Sequence, residues 1–284
     1  MVHLSREWYV CELAAATPAA LEVAPGTLVR LSCRSACDRD IGTGPDVAPA
    51  PNPATGPIGV AGARPGHALV VDILAIEPAA VGYLSAPGGG YDEFRIADGY
   101  FSYRGVRLKV EPMIGVLGVA PAEGAWTTME CGPFGGNLDI RDFRPGATVW
   151  LPVFQPGGLL VAGDVHALMA DGEIGGQGLE VAAEVALRVS VEREPLGAFP
   201  YLVCDDRLMT ISTGASLDEA AVAAAEAMVA VLSGCRLMSA HEARKFLGLV
   251  GQLRVGQFCC QTKSARVAVP LDLLPALRLQ LWRD

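Results

Sequence analysis

The chain of 284 residues is 51% apolar and only 19% charged, with 22 basic against 31 acidic side chains and a net charge of −9. Such a composition can bury a substantial core and excludes a disordered chain. Without a basic excess, neither a nucleic acid nor an anionic membrane is an expected partner. The 33 glycines and 20 prolines predict many turns and short strands. The eight cysteines are scattered without a CxxC pair, which excludes zinc-ribbon spacing. Met1 to Glu7 holds no apolar signal core and no run reaches membrane length. A cytoplasmic location with reduced thiols is the expectation.

In chain order, Ala24-Pro25-Gly26 is a turn signal, and Thr27 to Cys33 alternates as a strand. Cys33 to Asp40 is polar and suits a loop at a site. The proline-rich run from Asp46 to Pro57 reads as a rigid connector. Ala63 to His67 is a turn before a strong strand, Ala68 to Ile76. Ala86 to Tyr91, with Pro87-Gly88-Gly89-Gly90, is too flexible for a regular element and reads as a surface loop. Tyr100 to Val110 alternates around Arg104-Gly105, a hairpin turn. Pro112 to Val119, Thr148 to Phe154 and Gly158 to Ala162 are apolar strands. Gly132 to Asn137 is glycine-rich but lacks the GK[ST] ending of a phosphate loop. Val181 to Val191 alternates, with Val181, Ala183, Val185, Leu187, Val189 and Val191 on one side.

The pattern turns helical after Gly214. Ser216 and Glu219 spell a capping box for a helix running to about Leu232 and stopping near Gly234. Its apolar face carries Leu217, Ala221, Ala224, Met228 and Val231. Ser239 and Glu242 spell a second box, for a helix ending near Gly248 to Gly251. Leu253 to Cys259 and Ala265 to Val269 are strand-like, and a Leu-rich tail follows Pro270. The expected fold class is therefore mainly β with an α+β portion: a β-sandwich-like body and two late helices, not a doubly wound α/β sheet. The chain is one unit, residues 1–284, or a β-rich body 1–195 with an α+β portion 196–284.

The densest chemistry lies in Gly163 to Glu173, which holds Asp164, His166, Asp171 and Glu173 directly after the strand-like Leu159 to Val161. Asp164 and His166 are two apart and share one side of an extended segment. Carboxylates and an imidazole converging at a strand end suit a divalent metal. The same residues also fit a polar loop with a capping Asp and a hydrogen-bonded His. Cys131, just before the glycine-rich loop, is the best-placed thiol nucleophile, although a buried bystander is the plain alternative. His67 in its Pro-Gly turn is expected to face solvent, and His241, in the first turn of a helix, to be structural.

Several segments in order resemble the acetamidase/formamidase family. These are Asn52 to Ile58, Gly62 to Leu69, Gly115 to Pro121, Gly135-Gly136-Asn137-Leu138-Asp139, and Gly163-Asp164-Val165-His166-Ala167 with Asp171-Gly172-Glu173. Leu217 to Ala220 and Leu253 to Gln257 continue the likeness. The resemblance implies a sandwich-like body with an α+β portion. It also implies hydrolysis of a short carboxamide to carboxylate and ammonia. A bound divalent metal, zinc first and calcium second, and a homodimer or higher homo-oligomer complete it. It makes His166 and Asp164 metal ligands, and Glu173 or Asp171 a ligand or general base. Asn137 and the Gly135-Gly136 backbone become substrate-orienting or oxyanion groups, beside Phe134. Asp139 is either a further ligand or the holder of a turn with Arg141. The family's tendency to carry a histidine near its start singles out His3.

The chain departs from the family pattern at Met169, where Gln is frequent, at Ala170, where Gly is frequent, and at Ser35 and Cys260, where Asp is usual. Phe134 stands where His often precedes Gly-Gly-Asn. The lost carboxylates imply a missing metal or proton carrier. Phe134 implies a more apolar pocket, open to larger or cyclic amides. Two readings follow: a metal-dependent amidohydrolase acting on a small linear amide or lactam, or a member that keeps the fold and serves as a ligand-binding or assembly protein. Survival of Asp164, His166, Asp171 and Glu173 favours the first. Another C–N bond, in a carbamate or amidine, is a third option.

Overall fold

The computed structural model describes residues 1–37 and 52–281. Strands dominate, and among the described residues 17 of them join one large, mainly antiparallel sheet that curls on itself. Its spine is the 18-residue strand Ala68–Ser85, paired along most of its length with Glu180–Glu192 and at its start with Thr148–Pro152. Glu180–Glu192 also pairs with Thr27–Cys33. The sequence alternation explains this position. Val181, Ala183, Val185, Leu187 and Val189 are buried, while Arg188 on the opposite side is exposed. Two pairings are parallel: Val2–Leu4 beside Thr27–Cys33, and Leu21–Val23 beside Ala54–Val60.

Two mutually paired strands, Met113–Gly118 and Leu160–His166, are buried at every residue. A strand covered on both faces reads as a continuous apolar run, so Met113–Gly118 was visible as a strand. Leu160–His166 was not, beyond Ala162. Gly163 to His166 continue the strand, so Asp164 and His166 enter the interior as strand residues, not loop residues. The expected connector is corrected in the same way. Ala54–Val60 is a fully buried strand hydrogen-bonded to Leu160–His166. Asp46 to Pro51 of that connector, and the polar stretch after Cys37, lie outside the described residues.

The Tyr100–Tyr103 and Val106–Lys109 hairpin forms as expected, with Arg104 and Gly105 both at positive φ. The helices Leu217–Gly234 and Ala240–Val250 begin at Ser216 and Ser239. The box at Ser239 is complete. At Ser216 the Glu219 carboxylate accepts from the Ala215 amide instead of the cap residue's own. The first helix buries Ala224, Met228, Val229, Val231 and Leu232 in an apolar cluster with Trp150, Tyr201, Leu208 and Val269. Leu217 and Ala221 are half-buried at its edge. Trp150 ties this cluster to the main sheet, because Thr148–Pro152 pairs with both Ala68–Ser85 and Tyr201–Cys204. The Leu-rich tail forms a third, short helix, Pro275–Leu281. The strand expected to reach Cys259 is Gln252–Val255, which leaves residues 256–262 as a loop. No helix among the described residues is long and apolar enough to cross a membrane.

Candidate active site

Where Leu160–His166 meets Glu180–Glu192, His166 is the cross-strand partner of Glu180. The imidazole Nε2 lies 3.0 Å from Glu180 Oε1, 3.5 Å from Glu173 Oε1 and 4.0 Å from Asp164 Oδ1. Asp139 completes the group. The ligand atoms of Asp139, His166 and Glu173, and those of Asp164, His166 and Glu180, form two triads, each within 4.8 Å mutually. All five side chains are buried. Three of them, Asp139, Asp164 and Glu173, hold left-handed backbone at φ 45°, 52° and 45°. Non-glycine residues persist there only when their surroundings impose it, and such strain gathers at functional sites.

The surroundings are specific. Asn52 Nδ2 donates to Asp164 Oδ2 at 2.8 Å, and Gln257 Nε2 donates to Asp139 Oδ2. The Gly178 amide donates to Glu173 Oε1 at 3.0 Å, and the Cys259 thiol to Glu173 Oε2 at 3.2 Å. Gly115 makes room: a Cβ there would stand 2.6 Å from Asp139 Oδ1 and 2.8 Å from Asp164 Oδ2. Among the described residues, buried Asp139 Oδ1, Glu180 Oε2, Asn137 Oδ1 and His166 Nδ1 find no hydrogen-bond partner, an expensive state for buried polar atoms unless another group meets them.

Burial and the Glu173 charge push the Asp139 carboxyl up to about 7. Burial and Glu180 hold Asp164 well above the usual carboxylate range. Burial alone would lower His166, but Glu180 and Asp164 outweigh it and hold the imidazole well above its ordinary value. For Glu173 burial is likewise outweighed, here by the hydrogen bond and charge of His166, and the carboxyl is lowered. Four carboxylates around one imidazole, with unpartnered acceptor oxygens, form a donor set that fits a divalent cation. The imidazole favours zinc over calcium, whose ligands are oxygens.

Not every expected residue arrives. Asp171 accepts from Arg266 Nη2 at 2.7 Å, while Arg266 Nε bonds Asp142 at 2.6 Å. It anchors its loop to Lys263–Pro270 and stands outside the carboxylate group. Arg141 pairs with Glu111, not with Asp139, so the turn-holding alternative for Asp139 falls away. Phe134 packs in the core with its ring 5.4 Å from that of Trp126. At Gly135 and Gly136 a Cβ would collide with the backbone carbonyls of Leu117 and Glu130, so close strand packing accounts for both glycines. Asn137 follows them, buried. Cys131 lies in the core and its thiol is pushed far up, first by burial and then by Asp139. His3 bonds Ser32 Oγ at 2.9 Å, away from the group. His67 is half-buried with an unpartnered Nδ1, not solvent-facing; His241 is exposed in its helix. Buried Ser35 accepts from the Cys37 amide.

Glu180, Gln257, Asn52, Gly178 and Cys259 had no role in the sequence reading. Glu180 was hidden by alternation, which places it opposite Val181 on the face of Ala182 and Glu184; that face is half-buried along the strand and fully buried at Glu180. A cavity of about 350 Å³ adjoins the group, lined by Glu173, Gly178 and Met169 and walled by Leu84, Tyr103 and Ile174.

The sequence model of the Acetamidase/Formamidase family matches residues 122–201. An acetamidase of Bacillus halodurans of known structure superposes with a TM-score of 0.90 at 35% identity, covering 97% of this chain and 99% of its own. A predicted acetamidase/formamidase of Thermoanaerobacter tengcongensis superposes at 0.91 with 32% identity, covering 97% of each chain. The Mycolicibacterium smegmatis acetamidase is 27% identical over 240 residues, 55% of this chain. The chain spans about three-fifths (59%) of the length of that curated relative.

Proposed function

The chain belongs to the acetamidase/formamidase family, and from that premise we propose that it is an amidohydrolase converting a small carboxamide to its carboxylate and ammonia. The observation that carries this is the convergence of Asp139, Asp164, Glu173 and Glu180 on His166, with acceptor oxygens left unpartnered.

His166, Asp139, Asp164 and Glu180 would hold a divalent cation, zinc before calcium. A cation so held polarises a carbonyl and lowers the pKa of water. The remaining work falls to the chain's own groups. An amide is a poor electrophile with a poor leaving group, so a base, an oriented carbonyl and a proton for nitrogen are needed. Glu173 is the base. Its carboxyl is kept ionised by His166, and its two oxygens are fixed by Gly178 and Cys259. It takes the proton of the attacking water and returns it to the departing nitrogen. Asn137 Oδ1, buried and unpartnered, accepts from the amide N–H and orients the carbonyl. The apolar, solvent-open cavity beside Glu173 receives the acyl group. The family resemblance adds a homodimer or higher homo-oligomer.

Metal analysis of the purified protein, combined with an ammonia-release screen over short amides and lactams, tests the proposal. Bound zinc and turnover are expected. Absence of both metal and turnover on every amide would sink it, leaving a ligand-binding member of the family. Undiminished activity in His166→Ala would sink the site.

A further inference from the structure

We propose that the amide taken by this site carries a neutral, apolar acyl chain several carbons long, alkyl or arylalkyl, laid along one face of the hairpin formed by Tyr100–Tyr103 and Val106–Lys109. The proposal rests on the amidohydrolase reading and names its substrate class.

The hairpin has two unlike faces. Side chains alternate along each strand, and Phe101 stands opposite Leu108 as Tyr103 stands opposite Val106. One face therefore carries these four apolar side chains. The other carries Tyr100, Ser102, Arg107 and Lys109, with Arg107 Cζ 3.7 Å from the centre of the Tyr100 ring. Among the described residues the two strands form a sheet of their own, so packing, not a shared ladder, decides where the apolar face lies. Phe101, Tyr103 and Leu108 line the cavity beside Glu173, together with Met169, Ile174 and Leu179 from the segment around that carboxylate. The Phe94 ring backs this wall, 6.2 Å from that of Phe101 and 5.8 Å from that of Tyr103.

The lining selects against a charged or strongly polar acyl group. Among the described residues Glu173 is its one charged side chain. No cation there meets a substrate carboxylate, and Glu173 repels one. The side-chain amide of Gln177 is engaged at both ends: Oε1 accepts from the Ser85 amide at 2.8 Å, and Nε2 donates to the Tyr83 carbonyl at 3.5 Å. The Gly178 amide is taken by Glu173. Size points the same way. A volume of about 350 Å³ falls among pockets that enclose drug-sized ligands, about 300–1,000 Å³, whereas acetamide offers a single methyl. Tyr103 and Ile174, 44% and 79% exposed, bring the apolar wall to the rim, where a longer chain still finds surface to cover. At the carbonyl the chemistry is unchanged: the C–N bond breaks, a C–O bond to water forms, and a carboxylate and ammonium leave.

A series of primary amides given to the zinc-loaded protein tests this: acetamide, butanamide, hexanamide, octanamide and phenylacetamide, with N-alkyl acetamides as counterparts. The expected kcat/KM rises roughly twofold to fourfold for each methylene taken up, the scale of burying a CH₂ group, while the N-alkyl series stays flat. Calorimetry of the same primary amides with Glu173→Gln should show the slope in affinity without turnover. Leu108→Trp, checked for folding by its thermal melt, should cost hexanamide about tenfold more than acetamide. Arg107→Ala, on the opposite face of the hairpin, should keep the slope. A flat acyl series, or a gain that follows the N-alkyl group, overturns the proposal and leaves the amidohydrolase reading standing. A slope that survives in full in Leu108→Trp overturns it too. Chain-dependent affinity in Glu173→Gln, with no amide turned over by the wild type, supports the apolar site and sinks the hydrolase.

Discussion

Gly178 presses its bare α-carbon against the ring of His166: a Cβ there would overlap Cδ2 and stand 3.0 Å from both His166 Cγ and Met169 Cβ. The imidazole has its orientation because position 178 has no side chain. Gly178→Ala should tilt the ring, cost about 1–3 kcal/mol of stability by overpacking and weaken metal affinity roughly 10–100-fold, as loss of orientation around a ligand does. Equilibrium dialysis with zinc and a thermal melt read the two effects. Wild-type affinity in the alanine variant would show that the ring has room to move.

Glu180 and Asp171 should respond oppositely to neutral replacements. Glu180→Gln takes a charge 3.0 Å from His166 Nε2 and should lower metal affinity and activity while the protein stays folded. Asp171→Asn weakens the partner of fully buried Arg266, which keeps Asp142. Its expected cost is about 1–3 kcal/mol of stability, with metal still bound. Metal content and melting temperature of the two variants separate the roles. Full metal in Glu180→Gln contradicts its assignment.

The metal-free protein should lose stability as pH rises. Asp139 is raised from 3.8 to about 7 by burial and by Glu173. Between those values the folded state binds more protons than the unfolded one, so stability is present below the lower value and drains away up to the higher. At roughly 1.4 kcal/mol per unit, about 4 kcal/mol is the ceiling for this group. Asp164 and His166, also raised, act with the same sign, and Glu173, lowered, opposes them. Melts of chelator-treated wild type and Asp139→Asn from about pH 4 to about pH 7 should show the steeper decline in wild type. Parallel curves would remove Asp139 from this role.

Met169 stands where the cavity meets Glu173. If the acyl group lies there, Met169→Trp should raise KM for a bulky aliphatic amide about tenfold more than for acetamide, the scale on which an apolar pocket discriminates. Equal changes for both would place the acyl group elsewhere.

The β-rich class, both late helices and most strands are legible because their burial is one-sided or complete, and each leaves a period in the sequence. What escapes is the interior of the site. Asp164 and His166 interrupt an apolar run and so mimic a loop end, while Glu180 lies on the strand face that alternation assigns to solvent and is covered only at the strand's start. Asp139, Asp164, His166 and Glu173 could be named from short motifs. Their partners Asn52 and Gln257 sit 112 and 118 positions away from the groups that they bond. Asp171 shares the motif of Glu173, but chain proximity does not fix direction, and Arg266 draws it elsewhere.

Those separations also set an order of events in folding. His166 meets Glu180 only when two strands of the curled sheet have paired, and Asp139 and Asp164 receive their partners only when distant loops have closed over them. Long-range β pairing is slow, so the completed carboxylate–imidazole group is among the last parts of the fold to form. A fragment that lacks Asn52 or Gln257 would leave Asp164 or Asp139 without the side chain that bonds it.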